Sequence, residues 1–446
     1  MTAAGRLAPA VVASLGLALV STCAQAPAVV GSTDYEVMVD LAPPAPAEID
    51  LLFVIDSSAA MAGEQQPLAA DAGELFDALA ALPTGMPDLH VGVVSTDVGL
   101  GDAAAGLPGS QCRARGDDGA LHGAATCGIA GGFLSDAPDP DGGRRRNYQG
   151  SLSGAFACLA DVGTGGCNYS QPLAALERAV ALDAARPREQ RFLRDDALLV
   201  VVLLTDDDDC SVASTGLFAD PDGTIVSPLG PLTDFRCFEF GVECDDANPR
   251  APGVKHGCRP RDDDRYLRRV EDVVQALKDS RRDPSRVLIG GLFGAPGPVM
   301  VGLGASSPQW PQGVPTLSPT CGPTEPAAPA IRLHAFAHGF PARYVAPETC
   351  SVDLPTRLRR IGGAALDVLS GGGCLIGHPA SPLTCEATAI APGGERLQLP
   401  LCDGPGCVSI VGDRACGFTD HQLAVHYDPS IVPAGYRLRV SCLPAD

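Results

Sequence analysis

The sequence predicts an α/β protein: a mostly parallel sheet covered by helices on both faces, followed by a small disulfide-rich all-β module. Three observations predict it. Apolar runs such as Ile49–Ile55, Ala197–Leu204 and Val287–Phe293 are continuous, as in strands with no face toward water. Segments of helical period alternate with these runs, the pattern of a parallel sheet built by crossovers. Beyond Gly371 the helical period disappears, and short alternating stretches sit among six cysteines.

Each element follows in order. Ile49 to Ile55 is the first strand, ending at Asp56. Leu68, Leu75, Phe76, Leu79 and Leu82 recur at helical spacing until Pro83 stops the helix. His90–Ser95 is a second strand, and the Gly/Asp-rich stretch after it, with Cys112 and Cys127, reads as loop. Near 170 the period returns: Ser170 is placed to cap a helix with Pro172 in its first turn and Leu173, Leu176 and Val180 on one face. Ala197–Leu204 runs into Thr205, four successive aspartates (Asp206 to Asp209) and Cys210. An excursion bearing Cys237, Cys244 and Cys258 precedes an amphipathic helix with Leu267, Val270, Val274 and Leu277. Val287–Phe293 is another buried strand, and a last helix, capped by Asp353, carries Leu354, Leu358, Ile361, Ala365 and Leu369. Arg396–Leu399 and Tyr436–Val440 alternate as strands of the β module.

The chain has 446 residues, 17 cysteines and a formal net charge of −21. The acidic balance excludes nucleic acid or an anionic membrane surface as the main partner, since both demand a basic face. So many cysteines, without paired CxxC motifs for zinc, point to an oxidising compartment. The amino terminus agrees: Arg6 precedes an apolar stretch from Leu7 to Val20, of signal-peptide length. Val20-Ser21-Thr22-Cys23 has the form of a bacterial lipobox that would place a lipid on Cys23; Ala24-Gln25-Ala26 offers ordinary signal cleavage instead. The expected organisation is a signal peptide (1–22), a Pro/Ala-rich tether (23–47), the α/β domain with cysteine-bearing loops (48–371) and the cysteine-rich β module (372–446). This partitions the cysteines into one candidate anchor, ten in the domain and six in the module.

Two segments carry a family resemblance. Phe53-Val54-Ile55-Asp56-Ser57-Ser58-Ala59-Ala60-Met61 resembles the first loop of von Willebrand factor type A (VWA) domains, with its Asp-x-Ser-x-Ser pattern after the first strand. Val202-Leu203-Leu204-Thr205-Asp206 resembles the strand and Thr-Asp that supply their later metal ligand. The resemblance covers roughly residues 47 to 371. It implies a doubly wound, Rossmann-like sheet whose loops gather at the carboxyl edge to hold one divalent cation, Mg²⁺ or Ca²⁺, through hard oxygen ligands. Asp56, Ser58 and Asp206 carry over as metal ligands. Ala60 replaces the second serine, and Cys167 stands where the family has its threonine, leaving Thr164 or Ser170 as substitutes. The cysteine-rich loops are also similar to those of secreted or lipid-anchored bacterial proteins with this domain.

Other motifs read as structure. Four adjacent aspartates cannot converge on one ion, so at most two of Asp206–Asp209 serve, the competing expectation being a solvated acidic loop held by Cys210. Gly116–Gly119 and Asp139–Gly142 lack EF-hand spacing and read as turns. His334 and His338 have no zinc-protease pattern around them, and Arg144-Arg145-Arg146 reads as a solvated turn. Neither a Gly-x-Ser-x-Gly elbow nor a P-loop is present in the sequence. Spacing suggests that Cys158 pairs with Cys167 and Cys112 with Cys127. The expected function is non-enzymatic: an exported protein of the cell envelope (an outer-membrane lipoprotein or a secreted protein) that binds an extracellular or envelope protein or polymer. A disulfide-stapled structural component with a vestigial metal site is the alternative. An intact mass of the native protein should show residues 1–22 removed and a lipid on Cys23; a chain starting after Ala26 would replace the lipid anchor by ordinary cleavage.

Overall fold

The computed structural model describes residues 37–41 and 47–443, apart from 83–84, 108, 124, 308–309, 323–325, 348–351, 376–379, 381–383, 392, 403, 405, 413–421, 428–430 and 434–435; of 37–41, 367 and 370–374 it describes the backbone alone. The leader and Cys23 lie outside the described residues.

A seven-stranded sheet occupies the centre, in the order Tyr344–Val345, Val287–Leu292, Leu198–Leu204, Glu48–Ile55, Asp88–Ser95, Leu134–Pro138, Arg144–Arg146. The first five strands run parallel, and the last two are antiparallel. Glu48–Ile55 is paired on both sides and covered on both faces, which is why its sequence shows no polar alternation. Pleating sends Ile49, Leu51, Phe53 and Ile55 into one core and Leu52 and Val54 into the other. Helices Gln65–Asp71, Gly73–Ala80, Leu152–Ala160 and Leu354–Ser370 close the first core with Leu68, Leu75, Phe156 and Ile361. Pro172–Ala184, Val270–Asp279 and Ile331–His338 close the second with Leu176, Val274 and Phe336. Each large side chain buried in this way contributes about 1.5–3 kcal/mol. The result is a mixed α/β architecture with a large, mostly parallel sheet. Among the described residues no helix is long and apolar enough to cross a membrane.

The carboxyl-terminal part has two small antiparallel sheets around one core that includes Ala387, Val408, Val425 and Val440. Their seven strands include one from far away in sequence. Val37–Leu41, inside the stretch expected to be a tether, pairs along its whole length with Arg437–Cys442. Alternating Val37, Val39 and Leu41 give that short segment a strand pattern which its Pro/Ala-rich surroundings conceal.

Two other expectations are corrected. Leu134–Pro138 and Arg144–Arg146, read as loop and solvated turn, form the antiparallel edge of the main sheet. They are held by charge rather than by apolar alternation: buried Asp136 accepts from Arg144, from Arg146 Nε at 3.1 Å and from Tyr148 Oη at 2.6 Å. The cysteine partners are exchanged: Cys112 bonds Cys167, and Cys127 bonds Cys158. Asn168 N donates to Ser110 O at 2.9 Å, so the 110–112 segment lies beside Cys167, while Cys158 rides on a helix packed over the other core. Four further bonds join Cys210–Cys237, Cys244–Cys258, Cys385–Cys442 and Cys402–Cys407. None of these six crosses residue 371. In the excursion after Cys210, Arg236, 1 % exposed, donates to the carbonyls of Leu217, Ala219, Asp220, Gly230 and Pro231.

At the amino edge of the sheet a second arginine joins the strands. Arg194 donates to both carboxylate oxygens of Asp50, through its backbone N–H and its side chain, and to Asp88 at 2.7 Å. Burial pushes Asp50 up to about 6, against the pull of Arg194. His90, whose Nδ1 donates to Phe192 O at 2.8 Å, is pushed down to about 4 by burial and by the Arg194 charge. Unfolded, the histidine takes up its proton near pH 6.5, so the fold loses stability as pH falls from there toward 4. Asp50 has the opposite slope: its folded value exceeds 3.8, so its contribution is lost as pH rises through about 6. His90→Gln removes only the first of these. The stability advantage of wild type over this variant, from urea unfolding, should be smaller at pH 5 than at pH 7 by about 1–2 kcal/mol. An advantage independent of pH would show that His90 charges as readily in the fold as out of it.

Candidate functional site

The carboxyl ends of the central strands meet at Asp56. Its N–H continues the sheet ladder to Leu204 O at 2.9 Å, and its side chain is fully buried. One carboxylate oxygen accepts from Ser58 N at 2.8 Å and from Thr96 Oγ1 at 3.4 Å; the other accepts from Thr205 Oγ1 at 2.6 Å. A single carboxylate thus ties together the loops after three adjacent strands. Gln65 Nε2 adds a fourth segment by donating to Asp56 O at 2.9 Å and Gly163 O at 2.8 Å. The Gly163–Ser170 turn is also bonded through Gly166 N to Ser57 O at 2.8 Å. A Cβ on Gly166 would stand 2.0 Å from Ser57 Oγ, so this close approach requires glycine.

Within this frame several oxygens lack partners. Ser57 Oγ, Ser58 Oγ and Asp206 Oδ1 are buried without a hydrogen bond among the described residues. Burial and the nearby Asp56 charge, with Glu64 adding to it, push Asp206 up to about 7. Buried acceptors beside a repelled carboxylate are what a hard cation relieves. Ser58 and Asp206 carry the oxygens that could hold a divalent ion, with Asp56 on the same crevice already engaged by three donors. Among the described residues no group of three or more His, Cys, Asp or Glu side chains is set to hold a metal ion, so such an ion would complete its shell with hydroxyls and water. Ala60 is exposed and brings no oxygen, and Cys167 is consumed in its disulfide. Thr164 is half-buried in the turn.

No protein-family model matches this chain. No curated protein sequence matches it either. Among solved structures, the chain is similar to the pilus adhesin SpaC from Lactobacillus rhamnosus GG in its open conformation, at 10% identity and a TM-score of 0.31, covering 91% of this chain and 41% of that one. It is also similar to the pilus adhesin RrgA from Streptococcus pneumoniae, at 10% identity and a TM-score of 0.27, covering 92% of this chain and 58% of that one. The chain therefore spans about half the length of these proteins, and scores this low do not establish a common fold.

The aspartate run has divided duties. Asp206 faces the crevice. Asp208 accepts from the N–H groups of Arg332 and Leu333, capping the Ile331–His338 helix, and burial pushes it up to about 6. Asp209 accepts from Leu173 N at 3.1 Å, while Ser211 Oγ accepts from Ala174 N at 2.8 Å, so these two residues cap the Pro172–Ala184 helix. The helix begins after Gln171, and Ser170 Oγ makes no capping bond. The second Asp209 oxygen pairs with Arg332 at 2.9 Å, both side chains being buried. An acidic loop held out in solvent is therefore not what forms; tertiary capping has drawn it inward. Asp207 is pushed well above the carboxylate range by burial and by Asp206, Asp56, Asp234 and Asp208. Of the two histidines, His334 is buried in the Ile331–His338 helix, its Nε2 3.3 Å from Gly294 O.

The sequence reading gave no role to Thr96 or Gln65, and named Thr205 and the capping aspartates without the bonds they make. Two helices that begin without their own capping side chain, after Gln171 and after Ala330, were the available signal for distant caps. Asp209→Ala removes one cap and strands the buried Arg332 charge, which should cost about 3–5 kcal/mol in denaturant unfolding. A loss below ~1 kcal/mol would mean that Arg332 finds water.

Proposed function

We propose that this chain is an exported, non-enzymatic binding protein of adhesion type. It recognises a protein or surface polymer through the carboxyl edge of a VWA-like sheet, beside a degenerate divalent-metal site. The observation that supports this reading is the crevice itself: four chain segments locked on Asp56, with Ser57, Ser58 and Asp206 presenting unpartnered oxygens between them. Asp206 and Ser58 would ligate Mg²⁺ or Ca²⁺ directly, and Asp56 would hold their loops in place. The bound cation would supply an open position for an acidic group of the ligand. In this reading the protein is displayed on the cell envelope, through a lipid on Cys23 or after secretion.

A second reading, a structural envelope component with a vestigial metal site, is favoured by Ala60 and by the commitment of Cys167 to a disulfide. Calorimetric titration separates the two. The wild-type protein should bind Mg²⁺ or Ca²⁺ with one site, and Asp206→Asn, like Asp56→Ala, should abolish it. A folded wild type that takes up neither ion supports the structural reading; metal affinity unchanged in Asp206→Asn overturns the crevice as the site.

A further inference from the structure

Next to the crevice, a cavity of about 270 Å³ opens between the aspartate run and the Phe235–Gly241 helix. It is lined by Tyr169, Ser170, Asp207, Asp234, Phe235 and Phe238 among others, and among the described residues no lysine or arginine lines it. Asp208 and Asp209 also reach it, but their carboxylates are spent on helix caps and on Arg332. That leaves the exposed Asp234 carboxylate and the half-buried Asp207 carboxyl as the acidic groups available to a ligand. Ser170 is 2 % exposed, and its Oγ has no hydrogen-bond partner among the described residues. The aromatic rings are almost wholly buried and form apolar walls.

We infer that this cavity binds a primary ammonium group carried on a short apolar stem. The cavity is below the range of about 300–1,000 Å³ typical of whole small-molecule sites, so it suits a side-chain-sized group. The Asp234 carboxylate supplies the charge, and the Asp207 carboxyl oxygen and the Ser170 hydroxyl bring the acceptors to three, matching the three N–H donors of an alkylammonium. Tyr169, Phe235 and Phe238 suit the methylene stem and add cation–π attraction. A lysyl side chain of a partner and a free alkylamine present the same chemistry. The inference rests on reading the carboxyl edge as a recognition surface, but on no metal there.

The experiment titrates the full-length oxidised protein with n-butylammonium, N-acetyl-lysine methylamide, n-butylguanidinium and butan-1-ol, followed by calorimetry. Saturable butylammonium binding is expected, at least about tenfold tighter than butanol and weakened about tenfold in Asp234→Asn, which keeps the hydrogen bond to Phe235 N. Asp264→Asn, an exposed carboxylate elsewhere, should bind as wild type does. Binding of the lysine amide as well assigns the site to a protein partner, and binding of butylammonium alone assigns it to a free amine. Equal affinity for butanol, preference for the guanidinium, or no binding overturns the assignment. Asp206→Asn separates this site from the metal: it should lose Mg²⁺ and retain butylammonium, and loss of both would overturn their independence.

Discussion

The buried carboxylate of Asp56 is the constraint on which the carboxyl edge depends. It terminates the central strand, and each of its oxygens is held by a hydroxyl or N–H from a neighbouring loop. Because those donors come from segments as far apart as Thr96 and Thr205, the edge cannot be assembled until the parallel strands are in register. The same arrangement leaves the next oxygens, on Ser57, Ser58 and Asp206, without a hydrogen bond among the described residues. Satisfaction of one acidic group and frustration of its neighbours are two sides of one geometry.

Away from that point, arginines organise what apolar burial does not. Arg236 gathers five carbonyls of the excursion between Leu217 and Pro231. Arg332 joins the aspartate run to the carbonyls of Gly241 and Arg268. Arg144 and Arg146 fasten the sheet edge through Asp136. A planar fork with several fixed donors satisfies many backbone acceptors at once, which a lysine does not. The near absence of lysine from the chain is consistent with this use.

Much of the sheet was legible because its strands are apolar throughout and its helices periodic: Ile49–Ile55, Leu198–Leu204 and the Leu354–Ser370 helix capped by Asp353 stand where the pattern put them. The sheet edge at Leu134–Arg146 was not legible, since its order comes from a charge network that leaves no hydrophobic period. Disulfide partners were not legible either: nearness along the chain says little when Cys158 is exposed on a helix that packs over one core and Cys167 is buried in a separate cluster with Cys112. In the site, Asp56, Ser58 and Asp206 could be named from their strand ends. Asp208 and Asp209 could not be given their duties, because a cap supplied from 36 or 124 residues away is visible only once the helices are packed.

The pairing of Val37–Leu41 with Arg437–Cys442 has a mechanical consequence. A pull on the chain ahead of Val37 reaches this strand before it reaches the central sheet. Five residue pairs of ladder resist it, and the receiving strand is itself fastened through Cys442 to Cys385. Load entering from that end is therefore spread across the small β module first. Only after that ladder shears does tension arrive at Glu48 and, eight residues on, at the loops gathered around Asp56.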